Sequence, residues 1–356
     1  MSNAQGKRPI RFAIIGCGGY AGHHAHRLVK HPEAALVACC DLSADVIADF
    51  LGRHVPDLSP PPAAFIDVRA MLAQAKPEAV IIATPHTLHY EHAVAALDAG
   101  CHVYVEKPMV TRAADARDLQ RRVAQARRIL VIGYNTTCTP EFDYLRRVRA
   151  DPHGPIGLGE LHAVSATVSQ NWMRWCDETW RQDPALSGGG FAYDTGAHLL
   201  HSLCWTVASH VREVYAHVDT RGRKVDINSA VTVRFENGVM ATLTLVGDCA
   251  APSCRMTCLF AGGRIDIDGW YGNWIEVHNA YGPVKYPKVN TDLPGQHPLE
   301  NFIDAIRGRD QPRTNPEHGV IQCELMDTIY ESARTGQPAR PKRATIAHAD
   351  APRDAD

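Results

Sequence analysis

The chain has 356 residues and a formal net charge of −2, with 37 basic and 39 acidic side chains. This length favours two domains over a single core. The balanced charge, without a basic stripe or a charged block, argues against nucleic acid and anionic membrane surfaces as partners.

The cysteine pattern and the N-terminal segment indicate a cytoplasmic protein. Eleven cysteines are scattered along the chain without a CxxC pair, which favours reduced thiols over disulfides. The first nine residues are mostly polar, and no apolar run approaches the roughly eighteen residues of a membrane span. Neither a signal peptide nor a membrane segment is therefore predicted.

The first predicted strand, Arg11–Ile15, leads directly into the sequence GCGGYA at residues 16–21. This is the GxGxxA form of the dinucleotide-binding fingerprint. Gly16 allows a tight turn, Gly18 lets the backbone approach a pyrophosphate, and Ala21 lets the following helix pack on the strand. The positive N-terminal end of that helix then faces the phosphates.

The second predicted strand, Ala35–Cys40, ends at Asp41. An acid at this position accepts hydrogen bonds from the adenosine ribose hydroxyls and repels a 2′-phosphate. No basic pair follows Asp41 directly, so NAD is expected as the cofactor and NADP is disfavoured. The alternative interpretation of Asp41 is a helix N-cap before Ser43.

Three more apolar strands end in polar residues. They lead into Thr84-Pro85-His86, Glu106-Lys107-Pro108 and Gly133-Tyr134-Asn135. Strands alternating with helices predict an α/β Rossmann domain over residues 1–137. Lys107 then lies at the carboxyl end of a parallel strand, where open α/β sheets bind ligands. The alternative for Lys107 is a strand-end salt bridge.

The second half has consecutive strands with few helices between them, and Asn237-Gly238 and Gly262-Gly263 mark hairpin turns. This pattern predicts an α+β domain with a largely antiparallel, open-faced sheet for substrate binding and oligomerisation over residues 138–345. Its C-terminal helices can pack back on the first domain. Residues 346–356 are predicted to be a disordered tail.

A glycine-rich segment interrupts these strands and precedes a predicted helix with three polar residues on one face. Asp194 and His198 are four residues apart, and His201 continues the same stripe. Gly196 costs about 1 kcal/mol in a helix interior, which suggests a close approach to the backbone there. The alternatives are a surface ion pair and a zinc site, although no cysteine or third histidine has useful spacing.

Together, these motifs make the chain resemble the Gfo/Idh/MocA oxidoreductase family over nearly its full length. The motifs that carry the resemblance are GxGxxA at 16–21, Thr84-Pro85-His86 with His89, Glu106-Lys107-Pro108, Gly133-Tyr134-Asn135, Trp180-Arg181, the glycines 188–190 and Asp194-Thr195-Gly196-Ala197-His198. The resemblance implies an NAD(P)-dependent enzyme that oxidises a secondary hydroxyl of a sugar, cyclitol or related compound.

The resemblance also assigns roles to residues, with Lys107, Asp194 and His198 as the catalytic set. It implies cofactor contacts from Gly16, Gly18, Gly19, Tyr20, Ala21, Asp41, Thr84, Pro85, His86, His89, Glu106, Lys107, Asn135, Trp180 and Arg181. The predicted substrate contacts are Lys107, Tyr134, Trp172, Arg174, Asp194, His198 and His201. A cis Lys107–Pro108 peptide is implied as well. One departure concerns His201, where many family members have aspartate.

The aromatic residues near the glycine-rich segment allow two interpretations. Trp172, Trp175 and Trp180 fall close together with Arg174 and Arg181. Their rings either pack on the C–H bonds of a sugar or belong to the core.

The chemistry of the three catalytic residues is consistent with a dehydrogenase. A neutral His198 can accept the hydroxyl proton, a cationic Lys107 can stabilise the developing alkoxide, and Asp194 can orient His198 or raise its basicity. Two other functions remain open: an NAD-dependent glycosidase that works by transient oxidation and elimination, and a non-catalytic NAD-sensing regulator. A regulator can lose the lysine or the histidine, and both are present here.

The strand Val239–Leu245 predicts assembly of subunits. One side carries Val239, Ala241, Leu243 and Leu245, and the other carries Met240, Thr242 and Thr244. The second side is moderately apolar, which favours burial against another subunit. We therefore expect a homodimer or homotetramer formed through this sheet.

Overall fold

The computed structural model describes residues 8–284 and 297–342 of the chain. The predicted tail, 346–356, lies outside the described residues.

The first sheet consists of β1 (Ile10–Ile15), β2 (Ala34–Cys40), β3 (Ala63–Phe65), β4 (Ala79–Ile82), β5 (His102–Val105) and β6 (Leu130–Ile132). All pairs are parallel, and the spatial order is β3-β2-β1-β4-β5-β6. Every residue of β4 is buried, as expected of a strand covered by helices on both faces. The strand order reverses between β1 and β4, so a ligand crevice is expected outside their carboxyl ends.

The helices of this half are α1 (Ala21–Lys30), α2 (Ala44–His54), α3 (Val68–Ala75), α4 (His89–Asp98), α5 (Ala113–Ala126) and α6 (Pro140–Ala150). Ser43 caps α2 and Asp67 caps α3, each through its side chain. Strands and helices alternate from β1 to β6, which confirms the predicted Rossmann fold.

The second sheet consists of β7 (Leu161–Ser169), β8 (Val211–Asp219), β9 (Asn228–Phe235), β10 (Met240–Val246), β11 (Ser253–Phe260), β12 (Gly263–Asp268), β13 (Ile275–Asn279) and β14 (Gly282–Pro283). Its order is β14-β13-β12-β11-β7-β10-β9-β8. Only the β7–β10 pair is parallel among these neighbours. The sheet is therefore mixed but mostly antiparallel, and both predicted hairpins are present.

The remaining helices are α7 (Trp172–Trp175), α8 (Pro184–Ser187), α9 (Gly196–Val207), α10 (Pro298–Ile306) and α11 (Pro316–Thr335). α9 packs against β7, β11, α6 and α11, and nearly all of its residues are buried. α11 also contacts α5 and β6 of the Rossmann half, and Phe302 of α10 packs edge-on against Phe12 and Tyr104. The C-terminal helices thus join the two sheets.

In the part of the chain that the structure describes, no helix has the length and apolar character needed to cross a membrane.

Candidate active site

A cleft lies between the carboxyl ends of the Rossmann strands and the second sheet domain. Several residues predicted from the sequence line it: Tyr20, Thr84, His86, His89, Glu106, Lys107, Asn135, Trp180, Arg181, Asp194 and His198. Pro85, Tyr134, Trp172, Arg174 and His201 are not part of this lining.

The loop between β1 and α1 has the geometry of a phosphate cradle. Gly16 adopts a φ of +90°, and a Cβ there would lie 2.8 Å from backbone atoms of Ala83. A Cβ on Gly18 or Gly19 would project into open space, so a ligand can reach the backbone of both residues. α1 begins at Ala21 without a side-chain cap, which leaves N–H groups for an anion. The loop therefore fits the pyrophosphate of a dinucleotide.

Asp41 follows β2 and is bonded to this loop. Its Oδ2 accepts a 2.8 Å hydrogen bond from the backbone N–H of Cys17. The N-cap of α2 is Ser43, whose hydroxyl accepts a bond from the N–H of Val46. The alternative assignment of Asp41 as that cap is therefore wrong, and its carboxylate lies where a ribose-binding acid is found in this fold.

Two buried histidines brace the turn after β4. The Nδ1 atom of His86 lies 3.0 Å from the carbonyl oxygen of Ser187. The two ring nitrogens of His89 lie 2.8 Å from the carbonyl oxygen of Pro108 and 2.9 Å from that of Thr84. Burial lowers the pKa of both imidazoles, that of His86 to about 3. The His86 ring is therefore neutral at pH 7, and His89 links the turns that carry Thr84 and Lys107.

Glu106 is paired with an imidazole that the sequence analysis did not identify. The Nε2 atom of His24, on α1, lies 2.7 Å from Glu106 Oε1, and both side chains are buried. Glu106 also occupies the space beside Gly133, where a Cβ would lie 2.8 Å from Oε1. The pair therefore connects the helix after the glycine loop with the strand end that carries Lys107.

The central ion pair of the cleft joins Lys107 and Asp194. The peptide between Lys107 and Pro108 is cis, as the resemblance implies. Lys107 Nζ donates to Asp194 Oδ1 at 2.7 Å and to the Asp194 carbonyl oxygen at 3.0 Å. Asp194 Oδ2 accepts a 2.7 Å bond from Trp172 Nε1 and lies 3.1 Å from Arg181 Nε.

The charges around Asp194 determine its ionisation. Burial alone would raise the pKa of this carboxyl, but the Lys107 ammonium and the Arg181 guanidinium outweigh burial and hold the pKa well below its ordinary value. Asp194 is therefore a carboxylate at all physiological pH values. Removal of one partner of such a buried ion pair strongly destabilises the folded protein, because the other charge is left buried without a counter-charge.

The position of Asp194 differs from the sequence prediction. α9 begins at Gly196, so Asp194 lies in the turn before the helix. Its carboxylate bonds to Lys107 and Trp172, whereas Nδ1 of His198 is buried and has no hydrogen-bond partner in the described structure. Within the described residues no hydrogen bond to Asp194 orients this ring, although the charge of the Asp194 carboxylate acts to raise the pKa of His198.

His198 lines the cleft from α9. Its ring lies 5.8 Å from the ring of Trp270 and 5.7 Å from that of Tyr134. Burial, reinforced by the Lys107 ammonium, lowers the pKa of His198 to about 3. The ring is therefore neutral at pH 7, and it is able to accept a proton there.

Tyr134 and His201 lie behind the cleft wall. Both are fully buried, and their rings stack at 3.9 Å with an interplanar angle of 6°. Neither ring nitrogen of His201 has a hydrogen-bond partner among the described residues, and burial holds its pKa well below the ordinary value. The predicted stripe of Asp194, His198 and His201 is corrected accordingly, since His201 belongs to the core and does not face the cleft.

The tryptophans after β7 differ in their surroundings. Trp172 is buried in the core and donates a hydrogen bond to Asp194. Of the two interpretations, core packing is therefore supported, and the predicted substrate contact of Trp172 is corrected. Arg174 is exposed outside the cleft. Trp180 lines the cleft, with the Arg181 guanidinium 4.6 Å from its ring centre and His86 edge-on at 4.9 Å.

Asp226 positions the turn before Asp194, and the sequence analysis did not identify it. Its buried carboxylate accepts bonds from the N–H groups of Gly190 at 2.6 Å and Ala192 at 2.8 Å, and from the hydroxyl of Tyr330. A Cβ on Gly190 would overlap the Asp226 carbonyl oxygen. This close approach explains the glycine, but no motif surrounds Asp226 that could have indicated it.

Trp270 and Tyr271 also line the cleft without having been predicted. They lie between Gly269, which follows β12, and Gly272. An aromatic pair in a glycine-flanked turn after a strand is the signal that could have identified them.

The structure supports no metal centre at the cleft. The ligand atoms of Asp194, His198 and His201 do not converge within 4.8 Å. The one three-residue group that does so in the described residues is Asp266, Glu276 and His278, on β12 and β13. Arg255 and Arg264 already pair with Asp266, so we assign no metal there.

Comparison with known proteins gives two family matches. Residues 10–134 match a model described as "Oxidoreductase family, NAD-binding Rossmann fold", and residues 157–272 match the "GFO/IDH/MocA C-terminal domain".

Individual relatives and solved structures resemble the chain over nearly its full length. D-glucoside 3-dehydrogenase of Escherichia coli K12 is 25% identical and aligns with 94% of this chain and 99% of its own. The WlbA dehydrogenase of Bordetella pertussis, solved with NADH and UDP-GlcNAcA, has a TM-score of 0.81 at 24% identity and covers 95% of this chain and 100% of its own. Levoglucosan dehydrogenase, solved with NADH, has a TM-score of 0.80 at 17% identity, with 95% and 100% coverage.

Proposed function

Because this chain belongs to the Gfo/Idh/MocA oxidoreductase family, whose first domain is an NAD-binding Rossmann fold, we propose that it is an NAD-dependent dehydrogenase acting on a secondary hydroxyl of a sugar, cyclitol or glycoside. In the reverse direction it is a ketoreductase. The observation that carries this proposal is the cleft in which Lys107, Asp194 and His198 lie at the edge of the dinucleotide-binding sheet.

The residues that would hold the cofactor come from the Rossmann half. The glycine loop offers backbone N–H groups to the pyrophosphate, and Asp41 offers a carboxylate to the ribose. When bound, NAD supplies the acceptor for the hydride that leaves the carbinol carbon. An Asp41 carboxylate disfavours a 2′-phosphate, which supports NAD over NADP.

Lys107 stabilises charge on the reacting oxygen. Two of its three N–H directions are used by Asp194, which leaves one donor for a substrate hydroxyl. As the hydroxyl loses its proton, this donor faces the developing alkoxide, and electrostatic stabilisation of that kind is usually the largest single contribution to catalysis. Asp194 accepts two hydrogen bonds from the ammonium and thereby fixes its direction. Asp194 is thus a positioning residue for Lys107.

His198 accepts the hydroxyl proton in this mechanism. Its ring is neutral at pH 7 and lines the same cleft as Lys107. A base with a pKa of about 3 holds a proton weakly, so the transfer depends on the stabilisation of the alkoxide by Lys107. The proton then passes from His198 to solvent. In the ketoreductase direction, the same ring returns the proton to the oxygen.

The substrate class is supported by the relatives and by the composition of the cleft. Several relatives are named for sugars, among them a D-glucoside, D-xylose and D-apiose, whereas one is named for 4-carboxy-2-hydroxymuconate-6-semialdehyde. The cleft combines charged donors and acceptors with the rings of Trp180, Trp270 and Tyr271. Sugars present hydroxyl edges and apolar C–H faces, which match these two kinds of surface.

The proposal is tested by following NADH absorbance with a panel of glycosides, free pyranoses, inositols and open-chain polyols. Oxidation of a member of the first three groups supports the dehydrogenase. Glycoside hydrolysis without net NADH identifies the glycosidase alternative instead. Nucleotide binding without turnover of any compound, in either direction, identifies the regulator.

A further inference from the structure

We propose that Trp270 and Tyr271 form a sugar-binding wall of the cleft, on which the apolar face of a pyranose or cyclitol ring packs while its hydroxyl reacts. This inference rests on the proposed function, because it names residues that would select the substrate of the same site.

The two rings stack on each other, and both line the cleft. Trp270 and Tyr271 stack at 5.0 Å with an interplanar angle of 8°. Tyr271 is 50% exposed although its ring is large and largely apolar. Trp270 lies 5.8 Å from His198, with 32° between the ring planes. The surface is therefore beside the proposed proton acceptor and open to the cleft.

Hydrogen bonds to Asp268 and from Ser202 fix the turn that carries the two rings. The buried carboxylate of Asp268 accepts hydrogen bonds from the N–H groups of Trp270 at 2.9 Å, Tyr271 at 3.3 Å and Asn273 at 3.3 Å. The Gly269 carbonyl oxygen accepts a 2.9 Å bond from the hydroxyl of Ser202, on α9. Because α9 also carries His198, the rings and the imidazole are held by one rigid unit.

This rigidity matters for recognition. A binding surface that is ordered before the ligand arrives avoids the entropy cost of ordering it on binding. Side chains held within a fraction of an ångström also position the reacting carbon more accurately than mobile ones do. The hydrogen-bonded turn after β12 is expected to provide both a surface ordered before binding and accurate positioning of the ring.

Cyclic polyols are the ligands that fit this surface. An aromatic face stacks favourably on a patch of C–H bonds, and a pyranose or inositol ring with equatorial hydroxyls presents such patches on its two faces. The polar groups of the cleft, Lys107 and His198, then meet the hydroxyl edge. An open-chain polyol lacks a flat C–H face, so the wall should distinguish rings from chains.

The substitutions Trp270→Leu and Tyr271→Leu test the inference, with Trp274→Leu as the matched control. Trp274 belongs to the same segment and is 37% exposed, but its ring lies against Arg255 at 5.2 Å and does not line the cleft. Trp270→Phe retains an aromatic ring and keeps the test informative if the leucine variant unfolds. Melting temperatures are measured for every variant.

The first readout is the binding of methyl β-D-glucopyranoside and myo-inositol to the NADH-loaded protein, measured by saturation-transfer NMR and calorimetry. We expect the Kd of these rings to rise about tenfold in Trp270→Leu and less in Tyr271→Leu and Trp270→Phe, a change of the size that aromatic contacts provide. Trp274→Leu should match the wild type. The Kd of NADH should change less than twofold in all variants.

Three results would overturn the inference: no binding of either ring compound to the wild type, unchanged sugar affinity in folded Trp270→Leu and Tyr271→Leu, or a weakened NADH affinity with unchanged sugar affinity. The last result would show that the rings contact the cofactor. Failure of the proposed function is separate, because it would leave sugar binding intact without any turnover.

Discussion

Lys107 and Asp194, 87 residues apart in the chain, form a 2.7 Å ion pair between the strand end of the first sheet and the turn before α9. Both side chains are largely buried, and Arg181 contributes a second positive charge at 3.1 Å. The active site is therefore complete only when the two halves of the chain are packed together.

Lys107→Ala and His198→Ala should each lower turnover by two or more orders of magnitude. General acid–base catalysis is worth roughly 10²–10⁴-fold, and Lys107 adds stabilisation of the alkoxide. NAD affinity should change little in His198→Ala, because His198 belongs to the second half of the chain. Single-turnover rates and melting temperatures are measured on the same samples.

The contrary interpretation makes a different prediction for these variants. If the charged residues only stabilise the fold, both variants should melt earlier and keep their turnover per folded molecule. Near-normal turnover in His198→Ala would remove this residue from the mechanism.

Asp41 should control the choice between NAD and NADP. We expect the kcat/KM for NAD to exceed that for NADP by at least tenfold in the wild type. The double change Asp41→Ser with Leu42→Arg should reverse or abolish this preference, since it removes the acid and adds a cation for the 2′-phosphate. Asp45→Ser, an exposed acid in the first turn of α2, is the control. Equal use of both cofactors by the wild type would contradict the assignment.

Asp226→Asn should lower kcat by at least tenfold while leaving NAD affinity within about twofold. The asparagine keeps the size of the side chain but replaces one acceptor oxygen by a donor, so one N–H of the turn before Asp194 loses its partner. Tyr330→Phe removes one bond to the same carboxylate and should show a smaller effect. Stopped-flow measurement of the chemical step separates this positioning effect from unfolding. An unchanged chemical step in folded Asp226→Asn would refute it.

His201→Phe should make the stability of the protein less dependent on pH. The folded pKa of His201 lies well below the unfolded value of about 6.5. Between these values the unfolded chain binds more protons, so the free energy of unfolding falls as the pH falls, by up to about 1.4 kcal/mol per pH unit for one group. The stabilisation is fully present above about pH 6.5.

This difference is measured by urea unfolding at about pH 5 and about pH 7.5. Phenylalanine preserves the stack on Tyr134 and does not titrate, so the loss of stability at the lower pH should be smaller in His201→Phe. The exposed residue His153, changed to phenylalanine, is the control. Equal loss in the wild type and His201→Phe would mean that another group is responsible.

The second sheet should hold two subunits together. Its outer face carries Met240, Thr242 and Thr244 of β10 in exposed positions, and Leu259 of β11 is 42% exposed. We expect a homodimer or homotetramer by light scattering at micromolar concentration. Thr242→Arg with Thr244→Arg should shift the protein toward the monomer, because two like charges on one face of β10 would be buried without partners in such an interface. A monomeric wild type would refute this prediction.

The sequence by itself determined the local parts of the fold. A glycine turn at residues 16–21, an acid after β2, continuous apolar strands and the Asn237-Gly238 hairpin each depend on neighbours only a few residues away. Their conformations follow from backbone sterics and from side-chain periodicity, which can be read without knowing the rest of the chain. For the same reason, the order of the family motifs was sufficient to predict the fold class, the oxidoreductase family and NAD.

Only the tertiary structure decided how the site residues are used. The expected stripe of Asp194, His198 and His201 assumed a helix with one face toward the cleft, but α9 is covered by protein on nearly all sides. The same helical spacing therefore leaves His198 in the cleft and places His201 in the core. Likewise, Asp194 meets Lys107 and Asp226 meets Gly190 across long sequence separations. Contacts between distant segments are set by the packing of the two sheets, which no local pattern encodes.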